Sequence, residues 1–145
     1  MELEHKKIGF ALTGSFCTFS KTIPKIKELV KNGSEVIPIM SYNAYNLDTK
    51  FGKAEDFINE IEEITGKKII HTIQEAEPIG PKHLTDIMVV APCSGNTMSK
   101  LAYDIIDTPA TMAVKSHLRN NLPVVIAPST NNALSRQCSE YGCFT

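Results

Sequence analysis

Three segments of this 145-residue chain are rich in hydroxyl side chains, two of them with glycine and two with amides. They are Thr13-Gly14-Ser15, Pro92-Cys93-Ser94-Gly95-Asn96-Thr97 and Pro128-Ser129-Thr130-Asn131-Asn132, and each follows an apolar run; Ser41 ends a fourth such run. Glycine lets backbone N–H groups approach a ligand closely. A helix N-terminus adds partial positive charge behind them, so turns of this kind suit a phosphate. The same residue types also build ordinary helix caps and tight turns. One such turn is weak evidence of a site, and three on one rim are stronger evidence.

Other reactive side chains are less informative. Cys93 sits inside the second turn, where a helix N-terminus can lower a thiol pKa, yet a small residue packing at a strand end needs no chemistry. Cys17 lies close to Gly14 and Ser15 and reads as packing. Cys138 and Cys143 lack the second Cys or His pair of a zinc site, so no metal is expected. Lys115 and Arg119 stand one helical turn apart and could meet a dicarboxylate, although a solvated helix face is the favoured reading. His71 and His83 read as surface residues.

The elements that must position these turns follow from periodicity. Ile8–Leu12, Val36–Met40, Asp86–Ala91 and Pro123–Ala127 are short apolar runs without alternation, the pattern of strands buried on both faces. Pro38 places the second near an edge or an irregularity, and Lys68–Ile70 is a further short strand. Between the strands, a helix capped by Thr18 or Ser20 carries Ile23, Ile26, Leu29 and Val30. Pro24 is expected in its first turn and Asn32-Gly33 at its stop. Residues 41–52 read as a polar loop. Phe57, Ile58, Ile61 and Ile64 mark a helix ended by Thr65-Gly66, and Met98, Leu101, Ala102 and Ile105 mark another. Thr108-Pro109 opens a last helix, running to about Asn120. Alternating strands and helices imply an α/β fold: a flavodoxin-like or Rossmann-like open, largely parallel sheet with helices on both faces. Such sheets bind ligands beyond the carboxyl ends of their strands.

Composition narrows the ligand. Lys plus Arg is 15 and Asp plus Glu 16, without the basic excess that nucleic-acid binding favours. No apolar run is long enough to span a bilayer and no signal-peptide pattern opens the chain, so no membrane role is expected; four cysteines make no disulfide framework in a chain this long, so a reduced cytoplasm is the expected home. The dinucleotide fingerprint G-x-G-x-x-G is absent, and Met40-Ser41 stands where an acidic residue would hold a ribose. A Walker lysine-serine loop is absent too. A mononucleotide such as FMN remains.

Ala91-Pro92-Cys93-Ser94-Gly95-Asn96-Thr97-Met98-Ser99-Lys100-Leu101-Ala102 resembles the P-A-S-A-N-T-x-x-K-L/I-A segment of the flavoprotein superfamily. That group includes the flavin-containing cysteine decarboxylases and flavin prenyltransferases. Ile8–Thr18, Asp48–Gly52, Glu75–Lys82 and Arg119–Val125 carry a more specific resemblance, to the B-subunit family of dipicolinate synthases. The likeness extends over residues 6–134. It implies FMN held by Gly14 and Ser15 at the phosphate, with Ser41 nearby. Pro92, Ser94, Gly95, Asn96 and Thr97 would lie along the cofactor. Pro128 and Asn131 match a P-x-M-N motif whose methionine is missing here. The decarboxylases also carry a histidine where this chain has Pro78, and proline cannot move a proton.

The resemblance further implies oxidation of dihydrodipicolinate, a small dicarboxylate, to pyridine-2,6-dicarboxylate in spore formation. It implies a partner resembling the dehydrogenase-like A chain of such synthases, which would supply NAD(P), and a homo-oligomer. The alternatives are a decarboxylase, a prenyltransferase or a non-catalytic structural subunit, and no catalytic residue is assigned. Residues 1–134 are expected to form the flavoprotein domain. Residues 135–145 lack any helical or strand pattern and are expected to be a poorly ordered tail of a chain shortened relative to the family.

Overall fold

The computed structural model describes residues 3–129. Four strands, β1 (Lys7–Leu12), β2 (Glu35–Met40), β3 (Ile87–Cys93) and β4 (Val124–Pro128), form one sheet in the order β2-β1-β3-β4. Every neighbouring pair is parallel. β1 has neighbours on both sides and helices on both faces. Its residues are accordingly apolar without alternation, and Ile8, Phe10, Ala11 and Leu12 are at most 3% exposed.

Six helices connect the strands: α1 (Phe19–Lys31), α2 (Tyr42–Asn46), α3 (Ala54–Thr65), α4 (Ile73–Ala76), α5 (Gly95–Ala102) and α6 (Pro109–Leu118). Two apolar clusters cover the two faces of the sheet. Phe10, Leu12, Val36 and Met40 pack with Phe19, Ile23 and Ile26 of α1 and Ile61 of α3. Ala11, Ile39, Met88 and Val90 pack with Ala76, Ile79 and the α6 residues Ala110, Ala113 and Val114. This is the open parallel sheet with two helical layers that the order of elements predicts.

Helix stops fall where glycine marks them: Gly33 has φ +92° and Gly66 φ +70°, a region that side chains with a Cβ avoid. Thr108 and Thr111 form a capping box at the start of α6, with Pro109 in its first turn.

Several expectations need correction. α1 starts directly after Thr18, the earlier of the two expected caps, so Pro24 is its sixth residue instead of lying in its first turn. The missing N–H leaves the Ser20 carbonyl without its helical donor, and Ser20 is exposed to water. Pro38 lies, as expected, on an edge strand of the four-stranded sheet, and its carbonyl accepts the Ile70 N–H at 2.9 Å. In a parallel strand a residue's N–H and C=O share one side, so Pro38 turns its missing donor away from β1 and the β1–β2 ladder loses nothing. Residues 68–70 shrink from a strand to the single bridge Ile39–Ile70. The expected loop at 41–52 contains α2, capped by the Ser41 hydroxyl, which accepts from Ala44 N–H at 3.2 Å. α5 ends at Ala102, leaving Ile105 outside it, and α6 ends at Leu118.

Candidate functional site

β1 runs to β2 on one side and has β3 on the other, so chain connections diverge at the carboxyl ends of β1 and β3. A crevice opens at such a point in an open sheet. A pocket of about 300 Å³ lies there, lined by Gly14, Ser41, Tyr42, Asn43, Ser94, Asn96, Thr97, Lys100, Asp107 and Thr108. Its volume falls at the small end of the roughly 300–1,000 Å³ typical of small-molecule sites.

The polar turns converge as the sequence suggested. The buried Thr13 hydroxyl donates to the Pro92 carbonyl at 2.7 Å and accepts the Ser94 N–H at 2.8 Å. Thr13 N–H donates to the same carbonyl at 3.1 Å. The β1 and β3 turns are thereby locked side by side. The third turn joins them through Ser15 Oγ, 2.7 Å from Ser129 Oγ, and through Ser129 N–H, which donates to the Cys93 carbonyl at 2.8 Å.

Each predicted residue can now be placed. Gly14, Ser41, Ser94, Asn96 and Thr97 line the pocket, and Gly95 opens α5 beside it. Ser15 stands in the adjoining turn. Pro92 is buried beneath the rim, with its carbonyl bound to Thr13. Pro128 is exposed at the end of β4, opposite Cys93. Asn131 lies outside the described residues, as do Cys138, Cys143 and the expected tail. The domain limit at residue 134 also lies outside them. Two of the predicted hydroxyls double as caps: Ser94 Oγ accepts the Thr97 N–H at 3.2 Å and donates to Thr97 Oγ1 at 3.1 Å, and Ser41 caps α2.

Sequence reasoning passed over Thr13, Tyr42, Asn43, Lys100, Asp107 and Thr108. Lys100 had a legible signal, since it follows Asn96 by one helical turn and so shares its face. Its ammonium meets Asp107 Oδ1 at 2.9 Å across the pocket wall. Asp107 gave no such signal, because only the fold brings the approach to α6 against α5.

The remaining candidates lie elsewhere. Lys115 and Arg119 are absent from this pocket and border a separate groove. His83 is exposed; His71 is half-buried, stacked on Tyr45 with ring centroids 4.0 Å apart. Cys17 is exposed and Cys93 buried. Pro78 lies in the 3-10 turn Glu77–Ile79 and does not line the pocket. Among the described residues no cluster of His, Cys, Asp or Glu could hold a metal ion, and no helix is long and apolar enough to cross a membrane.

Comparison with known proteins matches residues 1–138 to the Flavoprotein family. The B subunit of dipicolinate synthase from Bacillus subtilis (strain 168) is 48% identical over 132 residues, 91% of this chain. The chain spans 66% of that relative, just under two thirds of its length. The crystal structure of the dipicolinate synthase B subunit from Bacillus halodurans C is 40% identical, with TM-score 0.84 over 99% of this chain and 73% of that one. The FMN-dependent cysteine decarboxylase SpaF is 22% identical, with TM-score 0.73 over 97% of this chain and 82% of its own, and shares the fold.

Proposed function

The chain belongs to the Flavoprotein family, and from that premise we propose that the rim pocket binds FMN with the phosphate toward Gly14 and Ser15. The observation that carries this reading is the joining of three polar turns through Thr13, Ser94, Ser15 and Ser129. The donor set suits the group. The described lining offers hydroxyls, amides and the N-terminal N–H groups of α5, with a single cation, Lys100, already balanced by Asp107. A phosphate monoester and a polyhydroxy chain need that kind of neutral, donor-rich wall. Ser15, Gly14 and the start of α5 would hold the phosphate end. Asn96, Thr97 and Ser41 would lie along the chain, with Pro92 supporting the turn; the roles implied for Pro128 and Asn131 stay with the resemblance.

When bound, FMN supplies electron-transfer chemistry at its ring. The chain's own residues orient cofactor and substrate and exclude water. The ionisable side chains in the described lining are Tyr42, Lys100 and Asp107. No histidine is among them, and the resemblance puts Pro78 at the position of the decarboxylases' histidine; this supports an oxidative reading over a decarboxylative one.

The finer reading is a flavoprotein component of dipicolinate synthase in spore formation. It oxidises dihydrodipicolinate to pyridine-2,6-dicarboxylate, driven by aromatisation, beside a dehydrogenase-like partner that binds NAD(P). The 48% identity to the Bacillus subtilis protein supports it. Coexpression with such a partner and assay of dihydrodipicolinate oxidation tests it. Activity that requires both chains is the expected result. Equal activity of the partner alone contradicts a catalytic contribution from this chain.

A further inference from the structure

Gly14 differs from glycines that the fold itself requires. A Cβ at Gly9 would lie 2.8 Å from Met88 Sδ, and one at Gly80 would collide with the Ser116 carbonyl. Gly33 and Gly66 take the positive φ described above. Gly14 shows neither restriction. A Cβ there would meet nothing closer than Asn43 Cβ at 3.7 Å and Phe16 Cε2 at 3.9 Å, which is ordinary contact. Alanine would fit the fold at this position. Its methyl would take up space in the pocket that Gly14 and Asn43 line together.

Two donors beside that space have no partner. The N–H groups of Thr13 and Ser15 are both bonded, but the Gly14 N–H between them meets no acceptor among the described residues. The Asn43 amide is exposed and likewise has no hydrogen bond among them. The other asparagine of α2, Asn46, commits its amide to the Tyr42 carbonyl at 2.9 Å. Ser94 Oγ already donates to Thr97 Oγ1. Lys100, the one cation in the described lining, is paired with Asp107. An anion at the Gly14 end is therefore met chiefly by neutral donors, and the free amide of Asn43 is one of them. A phosphate oxygen of a monoester dianion only accepts, so the amide turns Nδ2 toward it.

We propose that Asn43 is a specificity-determining residue of the pocket, whose Nδ2–H donates to the phosphate that the Gly14 N–H also meets. The assignment rests on the reading of this pocket as an FMN site. Asn43 bonds to the phosphate and to neither the ring nor the ribityl chain, so it separates the phosphorylated flavin from the unphosphorylated one. Thr13 and Ser94 hold the turns together, and their loss weakens any ligand. The Asn43 side chain holds no turn, so its loss is felt only where there is a phosphate.

The test titrates the full 145-residue chain and its variants with FMN and with riboflavin, alongside thermal melts. Asn43→Asp keeps the shape, replaces the donor with an acceptor and adds a negative charge. It should lower FMN affinity about tenfold or more and leave riboflavin affinity within about threefold. Asn43→Ala should lower FMN affinity severalfold with the same selectivity. Asn59→Asp puts the same charge on the exposed surface of α3 and should leave the ratio of the two affinities unchanged. Gly14→Ala should melt no lower than the wild type and bind FMN more weakly. If the wild type prefers FMN and both Asn43 variants keep that preference in full, the Asn43 assignment is overturned and the FMN site stands. Equal weakening of both flavins by Asn43→Asp overturns it as well, since that is the mark of a structural role. A wild type that binds neither flavin, or both equally, overturns the phosphate site and the Asn43 assignment together.

Discussion

Thr13 Oγ1 accepts the backbone N–H of Ser94 at 2.8 Å, 81 residues away in sequence. The same hydroxyl donates to the Pro92 carbonyl. A buried side chain with both its hydrogen-bonding roles filled by a neighbouring turn holds that turn in place. Thr13→Val keeps the shape and removes both bonds, leaving the Ser94 N–H and the Pro92 carbonyl with fewer partners. The expected cost is about 1–3 kcal/mol of stability, together with weaker FMN binding. Denaturant unfolding and FMN titration of the same variant measure the two effects, and unchanged values for both would contradict the role.

Ser15 and Ser129 form a second link, at 2.7 Å. In the proposed binding mode Ser15 also donates to the phosphate. Ser15→Ala should weaken FMN binding about tenfold or more, the scale of a hydrogen bond to a charged group. Ser129→Ala should have a smaller effect, because it only orients Ser15. A double-mutant cycle should find the two coupled, whereas strict additivity would show that the hydroxyl pair plays no joint part.

The sheet and its two layers were legible in the sequence because runs such as Ile8–Leu12 are apolar without alternation, which only a strand covered on both faces requires. The rim turns were legible for a related reason: glycine and hydroxyls placed directly after such runs fall at strand ends. What escaped depended on contacts made by the fold. Thr13 reads as one more turn residue until Pro92 and Ser94 are beside it. α2 has five residues and no apolar stripe, so Tyr42–Asn46 looked like loop. The sequence offers both Thr18 and Ser20 as caps for α1, and the structure uses Thr18, which moves Pro24 past the first turn.

His117 is fully buried, with Nδ1 2.6 Å from Thr85 Oγ1 and Nε2 2.9 Å from the Pro123 carbonyl. A carbonyl only accepts, so Nε2 carries a proton. In the neutral ring Nδ1 then accepts from Thr85. This residue ties α6 to the segments entering β3 and β4, at the end of the sheet opposite the pocket. His117→Ala should lower stability by about 2–4 kcal/mol through a cavity and the lost partner of the Thr85 hydroxyl, while the Pro123 carbonyl keeps the Met88 N–H. FMN affinity of the folded fraction should change less than about threefold, as expected for distant sites. A large affinity loss without destabilisation would contradict this assignment.

Burial alone would raise the Glu75 carboxyl. Donors from the His71 N–H at 3.2 Å and the Thr72 hydroxyl at 3.0 Å, with the His71 ring nearby, bring it below its ordinary value of 4.5. A carboxyl depressed on folding contributes stability that is full above its unfolded pKa and is lost as pH falls through the folded one. The contribution is small, because Glu75 is largely exposed. An NMR titration should place Glu75 below 4.5, and Glu75→Gln should flatten the acid-side change in His71 amide exchange. A titration at or above the ordinary value would contradict the capping geometry.

The central claim is that the joined turns grip the phosphate of FMN, and paired titrations with FMN and riboflavin test it most directly. The two ligands share the ring and the ribityl chain and differ in the phosphate. The account predicts that FMN binds at least about tenfold more tightly than riboflavin and that Ser15→Ala narrows the gap. Equal affinity for the two, or binding of neither, would contradict it.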